Sequence, residues 1–216
     1  GDLLPNSDVD LLVLLDDAPL SEAQRLKINT AVEGWLGSLW DMGLAPSHSV
    51  RTVAECLAFC HEDLASETAV LEARFLAGDE DLFQRFSQQF FANFDLQAFW
   101  RNKVAEMRAR YSRFEETPFS LEPNCKESPG GLRDLHLMLW LSKAAHLAQS
   151  WEDLHDIGWL NQKQARLIVR CETLLLAIRA HLHILTRRPE NRLLFDLQTS
   201  LAQAFGLSDD DGKLAS

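Results

Sequence analysis

Residues 1–17, GDLLPNSDVDLLVLLDD, join a glycine-led turn to a short apolar run that is closed by a second pair of aspartates. The apolar run, residues 11–15, has the length and the Leu/Val content of a strand that is buried on both faces. Because side chains alternate along a strand, Asp8 and Asp10 are expected to point to the same side. The stretch therefore predicts a buried strand with two neighbouring carboxylates on one face.

Two carboxylates at this spacing indicate a bound cation. They lie roughly 6–7 Å apart, and at an effective dielectric constant of about 20 their repulsion is about 2–3 kcal/mol. Hard oxygen ligands on one face suit Mg²⁺, which also accepts phosphate oxygens from a substrate. The pattern predicts a phosphoryl- or nucleotidyl-transfer site with Asp8 and Asp10 as metal ligands. The alternative is that both residues only end a loop before a strand that starts at Leu11.

Composition limits the classes of partner. The chain has 216 residues, of which 46% are hydrophobic, so it can form one large domain or two small ones. Its net charge of −11 argues against a general DNA, RNA or anionic-membrane binder. No apolar run is long enough to span a membrane, and no signal peptide is visible.

Cysteine usage predicts the compartment. The spacing of the cysteines does not match a zinc site, and we expect all of them to be buried apolar residues in a reducing, cytoplasmic environment. They are Cys56, Cys60, Cys125 and Cys171.

The first part of the chain mixes helix and strand signals. Ser21 and Gln24 form a capping-box pattern that opens a helix to about Leu39. Thr52 and Glu55 form a second capping box, and Ser66 is predicted to cap the helix after that. Residues 39–44, LWDMGL, predict a second strand, and residues 49–51 predict a short third strand. A small mixed sheet with helices is therefore expected.

Strand signals end at Gly78, which predicts domains at residues 1–78 and 79–216, the second of them all helical. Helix N-caps are predicted at Asp79, Asp95 and Asn161. One helical segment is basic and is either a solvated face or a surface for nucleotide phosphates or an acidic partner. Its residues are Arg101, Lys103, Arg108, Arg110 and Arg113.

A transfer site of this kind needs a third carboxylate on a neighbouring strand. Asp41 is the best placed because it falls in the predicted second strand, and Asp63 is the alternative. A glycine pair ahead of a helix, at residues 130–131, is expected to leave backbone N–H groups open to an anion, with Lys126 and Arg133 adding positive charge.

Several stretches, taken in order, resemble one known family. Residues 1–12, GDLLPNSDVDLL, resemble the active-site strand of the polymerase-beta-type nucleotidyltransferases. Together with the later stretches they resemble the N-terminal half of the bacterial PII uridylyltransferase/uridylyl-removing enzymes, and PGGLRDL is the most specific of them. The later stretches are HSVRT (48–52), LEARFLAG (71–78), LEPN (121–124) with Lys126, PGGLRDL (129–135) and LFDLQ (194–198).

The resemblance implies an α+β chain in which a truncated nucleotidyltransferase domain is followed by an all-α helical domain. It implies Mg²⁺-dependent transfer of UMP from UTP to a tyrosine hydroxyl of the trimeric nitrogen-signalling protein PII. Asp8 and Asp10 would hold the metal, and Asp41 would take the proton from the tyrosine. Ser7 and Gly1 would line the triphosphate.

The resemblance does not settle the roles of Lys126 and Arg133, which we consider candidates for nucleotide or domain-interface contacts. In the family the glycine loop begins ahead of the position of Gly1, so we expect a fragment that binds triphosphate weakly. C-terminal hydrolase and regulatory domains are further expected partners in the full-length protein. UMP removal and glutamine sensing would belong to those domains.

Two other functions are compatible with these motifs. The related adenylyltransferase that acts on glutamine synthetase shares a similar GGLRD stretch, although LEPN and LEARFLAG favour the uridylyl branch. A degenerate nucleotidyltransferase fold that acts as a sensor or scaffold is the other, but the intact pair of Asp8 and Asp10 argues against it.

Overall fold

The computed structural model describes residues 3–114 and 119–207, and the chain divides into two compact units, Gly1–Phe94 and Asp95–Ser216. The first unit combines helices with a small sheet and the second is built from helices, which confirms the α+β class. The units separate after Phe94, whereas the sequence places a domain boundary near Gly78. The boundary at Gly78 between a catalytic and a helical domain stays a prediction.

The first unit is built on a β-α-β core. Its elements are β1 (Val9–Leu15), α1 (Glu22–Asp41), β2 (Pro46–Thr52), α2 (Val53–Glu62), α3 (Leu64–Leu71) and α4 (Glu80–Ala92). β1 and β2 pair in parallel, from Val9 with Pro46 to Leu15 with Thr52, and α1 supplies the crossover that a parallel pair needs. α1 and α2 pack against β2, and α4 packs against β1. In the described residues the sheet is therefore parallel rather than mixed.

The predicted strand at residues 39–44 is instead the end of α1. Gly43 has a φ of +79°, and its N–H donates to the carbonyl of Trp40 at 2.8 Å. The N–H of Leu44 donates to the carbonyl of Leu39 at 3.1 Å. These two bonds and the left-handed glycine form a Schellman cap. The strand prediction is wrong because the apolar residues before Gly43 belong to the last helical turn.

β1 is half-buried, so the expectation that it is buried on both faces is also wrong. Asp8 and Asp10 are exposed, and Leu12 on the same side keeps 38% of its surface exposed. The apolar composition of the strand does not decide how many neighbours cover it. In the part of the chain that the structure describes, the face that carries the two aspartates is open.

The second unit is an assembly of helices with a long loop. Its helices are α5 (Leu96–Ser112), α6 (Leu132–Ala144), α7 (Trp151–Asp156), α8 (Gln162–Thr186) and α9 (Phe195–Ala204). α8 packs against α6, α7 and α9, and α5 packs against α6. Phe99, Leu132 and Leu182 are fully buried in this unit. α8 is therefore the central helix of the unit.

Local capping signals place most helix starts as the sequence predicts. The capping boxes expected at Ser21 and Thr52 are present, and Asn161 opens α8 in the same way. Asp79 and Asp95 cap α4 and α5 through their carboxylates. Each of these signals lies within four residues, so local sequence is enough to predict it.

The cysteine prediction holds for three of the four residues. Cys56, Cys60 and Cys125 are buried, whereas Cys171 is exposed on α8. The prediction is wrong for Cys171 because its side of α8 is not covered by the other described helices.

The loop before α6 folds back against the segment that leads into α9. The N–H of Cys125 donates to the carbonyl of Asn191 at 2.8 Å, and the N–H of Leu193 donates to the carbonyl of Pro123 at 2.9 Å. These bonds join segments that are about 70 residues apart in the sequence. The loop is thus a fixed part of the second unit.

Gly131 lies where this loop comes closest to α6. A Cβ atom at this position would lie 2.9 Å from the carbonyl oxygens of Cys125 and Ser128 and 3.0 Å from that of Lys126. All three neighbours are backbone atoms. The φ of Gly131 is −80°, which any residue can adopt. Glycine is therefore required here for space.

A buried ion pair fastens the same loop to α5 and α6. Arg110 is 3% exposed, and its guanidinium donates to the carbonyl of Glu127 at 2.8 Å and to the carboxylate of Asp134. The Tyr111 hydroxyl and the Gly130 N–H both donate to the other carboxylate oxygen of Asp134, each at 2.7 Å. Asp134 therefore accepts bonds from a helix on one side and from the loop on the other.

The basic segment of α5 is only partly a solvated face. Lys103 is buried, donates to Glu106 at 2.5 Å and lies 4.4 Å from the centroid of the Trp140 ring. Together with Arg110 it contributes to packing within the unit. The exposed members of the segment are Arg101, Arg108 and Arg113.

We predict that Gly131→Ala lowers the free energy of unfolding by about 1–3 kcal/mol, because the added methyl group has to displace backbone carbonyls. Urea unfolding measures this. Gly34→Ala is the control, since Gly34 lies within α1 with open space around it, and there alanine should stabilise the helix by about 0.5–1 kcal/mol. Equal urea midpoints for wild type and Gly131→Ala would contradict the packing argument.

We predict that Tyr111 titrates far above an ordinary tyrosine. Burial, the hydrogen bond to Asp134 and the negative charge of that carboxylate raise the pKa of Tyr111 to about 12. In the unfolded chain the pKa is about 10, so the stability linked to this group is complete below pH 10 and is lost as the pH rises from about 10 to 12. Tyr111 is the one tyrosine of the chain, so ultraviolet absorbance of tyrosinate reports it alone.

Asp134→Asn serves as the comparison for this titration. It removes the negative charge beside the Tyr111 hydroxyl, so the midpoint should move down toward the value of the urea-unfolded chain. A folded wild-type protein that titrates at the unfolded midpoint would show that Tyr111 is not held by Asp134.

Candidate active site

The two aspartates at the start of β1 share one open face. Asp8 immediately precedes the strand and Asp10 is its second residue. Exposure alternates, with Asp8, Asp10 and Leu12 exposed and with Val9 and Leu11 partly buried. This alternation places both carboxylates on one side, as the sequence predicts. Because both are exposed, water screens their repulsion, and the cost that was expected to demand a cation does not arise.

The parallel register continues this face onto β2. Ser47 pairs with Asp10, and Ser49 and Arg51 follow at steps of two residues. Paired side chains in a parallel sheet point to the same side. One face of the sheet thus presents carboxylates, hydroxyls and then a guanidinium along its length, which are groups that can bind a metal and a polyphosphate.

A shallow depression lies where the end of β2 meets α2. Its volume is about 540 Å³, and it is lined by Ser49, Val50, Arg51, Glu55, Ala58, Phe59 and Glu62. The Arg51 guanidinium lies 3.7 Å from the centroid of the Phe59 ring, a cation–π contact. Neither Arg51 nor Phe59 is predicted as a site residue from the sequence. The two-residue period of the strand places Arg51 on the same face as Ser49, but the contact with Phe59 depends on the packing of α2.

Ser7 closes a turn directly before β1. Its N–H donates to the carbonyl of Leu4 at 3.0 Å, and its hydroxyl accepts from the N–H of Leu4 at 3.3 Å. The φ of Asn6 is +56°, as a tight turn requires. Gly1 lies outside the described residues. The triphosphate contacts of Ser7 and Gly1 stay predictions.

Asp41 and Asp63 have different structural roles. Asp41 is the exposed last residue of α1, which returns from the end of β1 to the start of β2, so it lies at the end of the β-α-β core where Asp8 lies. Asp63 caps α3, because its carboxylate accepts from the Ser66 N–H at 2.8 Å, so the prediction that Ser66 is the cap is wrong. Hydrogen bonds from Ser66 hold the pKa of Asp63 below its usual value. The third-carboxylate role of Asp41 stays a prediction.

The glycine pair before α6 is not an open anion site, so that expectation is wrong. The loop folds over the helix end, and its carbonyls accept the N–H groups of the first turn. The bonds run from Gly131 to Ser128, from Leu132 to Cys125 and from Arg133 to Lys126, at 2.8–2.9 Å. In addition, the N–H of Gly130 donates to Asp134.

Lys126 and Arg133 have contacts within the second unit. The Arg133 guanidinium donates to Glu127 at 3.2 Å and lies 5.4 Å from the centroid of the Trp140 ring. The backbone N–H of Lys126 donates to the side chain of Asn124 at 3.0 Å. These contacts explain the positions of both residues without a ligand. Their nucleotide or domain-interface roles stay predictions.

No group of three or more His, Cys, Asp or Glu side chains within residues 3–114 and 119–207 could by itself hold a metal ion. A metal at Asp8 and Asp10 would therefore be completed by oxygen atoms from water or substrate. In the same part of the chain every helix is too short or too polar to cross a membrane.

Comparison with known proteins finds close relatives along the whole chain. It is 46% identical over all 216 residues to a bifunctional uridylyltransferase/uridylyl-removing enzyme of Bordetella avium. It is 44% identical over the same length to proteins of that name from Cupriavidus pinatubonensis and Burkholderia pseudomallei. The chain spans 24–25% of the length of these curated relatives.

No solved structure matches the chain. A family model described as GlnD PII-uridylyltransferase matches residues 98–216, which is more than half of the 216 residues and falls within the second unit. The chain therefore belongs to the GlnD PII-uridylyltransferase family.

Proposed function

We propose that this chain is the nucleotidyltransferase part of a PII uridylyltransferase, which transfers UMP from UTP to a tyrosine hydroxyl of PII with Mg²⁺. The observation that carries the proposal is the pair of Asp8 and Asp10 on one open sheet face. Identity of 44–46% to proteins named uridylyltransferases/uridylyl-removing enzymes supports this substrate class over adenylyl transfer to glutamine synthetase.

The residues present fit a magnesium ion. Mg²⁺ is bound in enzymes by one or two carboxylates, with the remaining positions taken by water and by substrate phosphates. Asp8 and Asp10 supply two exposed carboxylates, and the described residues contain no larger ligand cluster. When bound, the metal would polarise the α-phosphate of UTP and offset charge on the departing pyrophosphate.

The proposal gives a distinct task to each of the predicted site residues of the first unit. Asp8 and Asp10 would hold the metal, and Ser7 and Gly1 would contact the triphosphate oxygens. Asp41 accepts the proton of the tyrosine hydroxyl as the hydroxyl oxygen bonds to the α-phosphorus of UTP. At the same time the bond between the α-phosphorus and the oxygen that bridges to the β-phosphate breaks. Pyrophosphate leaves with the electron pair of that bond. The proposal gives no step to Lys126 or Arg133 and no UMP removal to this chain.

We predict that Asp8→Asn and Asp10→Asn each lower the rate of PII labelling by on the order of 100-fold or more, because each removes a carboxylate that would hold the metal, and the positive charge of that metal would stabilise the transition state. The assay follows UMP on PII by intact mass, with protein extended to the length of the curated relatives. Asp156→Asn on α7 is the control, since Asp156 is an exposed carboxylate at a helix end in the other unit.

Substrate substitution tests the alternatives in the same assay. Turnover of ATP with glutamine synthetase in place of UTP with PII would favour the adenylyltransferase, and turnover of neither would favour a scaffold. A labelling rate within a few-fold of wild type in either aspartate variant would remove the metal role from that residue.

We predict that Asp41→Asn lowers kcat for PII labelling with little change in stability, because Asp41 ends a helix in an exposed position. Asp63→Asn separates the two candidates. It keeps a side-chain oxygen that can cap α3 but removes the negative charge that the helix N-terminus favours, so it should lower the free energy of unfolding by up to about 1 kcal/mol, with labelling unchanged in the folded protein. The opposite pattern would move the third-carboxylate role to Asp63.

A further inference from the structure

α8 carries an apolar seam at alternating steps of four and three residues. This is the spacing of the contact positions of a coiled coil, and it spans about 27 Å at a rise of about 1.5 Å per residue. We call it the α8 seam, and its residues are Leu167, Cys171, Leu174, Ile178, His181 and Leu185.

The α8 seam is largely uncovered. Leu167 is 57% exposed and Leu174 is 52% exposed, and Cys171 between them is also exposed. The helices α6, α7 and α9 pack against other sides of α8, and among the seam residues His181 contacts Phe205, with ring centroids 5.0 Å apart. The N-terminal half of the seam is therefore an open apolar stripe on the described part of the protein.

Three basic residues flank this open half. Lys163, Arg166 and Arg170 are exposed; Lys163 and Arg170 occupy the heptad position beside the seam, and Arg166 lies one position further round the helix. None of them forms a salt bridge with another described residue. The chain as a whole is acidic, with a net charge of −11, so this cluster differs from its background.

The position of the cluster is unfavourable for the isolated helix. Lys163 lies in the first turn, where a cation opposes the macrodipole, and the like charges of the cluster, three and four residues apart, repel, each at a cost of a few tenths of a kcal/mol. α8 has no acidic residue in its first turn to offset this. An acidic partner beside Lys163, Arg166 and Arg170 would relieve both costs.

We propose that the α8 seam binds an amphipathic helix of a partner protein, with apolar residues against Leu167, Cys171 and Leu174 and with acidic residues beside the basic cluster. Charge argues against a second copy of this chain as the occupant. In a parallel pair of α8 helices, the basic cluster of one copy would lie beside the basic cluster of the other. An antiparallel pair would bring it toward Arg187 and Arg188, which are exposed at the other end of α8.

Two synthetic peptides test the proposal. Both are three-heptad helices with leucine at the contact positions, and their flanking positions are glutamate in one and lysine in the other. Fluorescence anisotropy at physiological ionic strength should give at least about tenfold tighter binding of the glutamate peptide, and added salt should reduce the difference. The glutamate peptide should also protect Cys171 from alkylation, which is selective because the other cysteines are buried.

Variants locate the binding surface. The triple variant K163E/R166E/R170E should reverse the preference toward the lysine peptide, and Leu174→Glu should weaken binding of either peptide. The matched control is R101E/R108E/R113E, which makes the same change in net charge at exposed positions of α5 and its C-cap and should keep the wild-type preference. Circular dichroism checks that each variant is folded.

Three outcomes would overturn the proposal. Equal affinity for the two peptides would remove the charge argument, and loss of preference in the α5 control would make the effect one of net charge. Sedimentation that shows a dimer abolished by Leu174→Glu would identify a second copy as the occupant.

Discussion

The Arg110 guanidinium has to be neutralised inside the helical unit, and the way this happens determines the conformation of the loop before α6. Asp134 supplies the carboxylate, and the carbonyl of Glu127 supplies a second acceptor. Breaking a buried charge pair costs several kcal/mol, so α5, the loop and α6 are held as one body. Gly131 allows the loop to approach closely enough for this. The most family-specific motif, PGGLRDL, thus stabilises the packing of the loop against α5 and α6.

In the first unit the acidic side chains of the candidate site are exposed rather than buried in an ion pair. Asp8 and Asp10 stay in water on one sheet face, and the guanidinium of Arg51 lies further along the same face against Phe59. Exposed charges contribute little to folding, so Asp8 and Asp10 can be substituted with small effects on stability. Folding of the β-α-β core therefore does not depend on a bound cation. The carboxylates on this face can therefore bind a ligand, whereas the buried Arg110 and Asp134 are already bonded to each other.

Structural features that depend on neighbouring residues could be predicted from the sequence, and contacts between distant residues could not. The capping boxes at Ser21 and Thr52 depend on residues three apart and were predicted correctly. The strand at residues 39–44 was wrong because an apolar run before a glycine fits a helix end as well as a strand. The burial of β1 and the pairing of Arg110 with Asp134, 24 residues away, depend on which elements pack together. Only the same-side geometry of the two aspartates followed from strand periodicity alone.

The environment of Tyr111 has a consequence for self-modification. Its hydroxyl already donates to Asp134, and burial and that carboxylate raise the pKa of Tyr111, so the phenolate nucleophile is scarce at neutral pH. Tyr111 is also the chain's sole tyrosine. Under the proposed transfer of UMP to a tyrosine of PII, this segment would offer no phenol ready to compete with the substrate, because the bond that stabilises the helical unit also holds the Tyr111 hydroxyl.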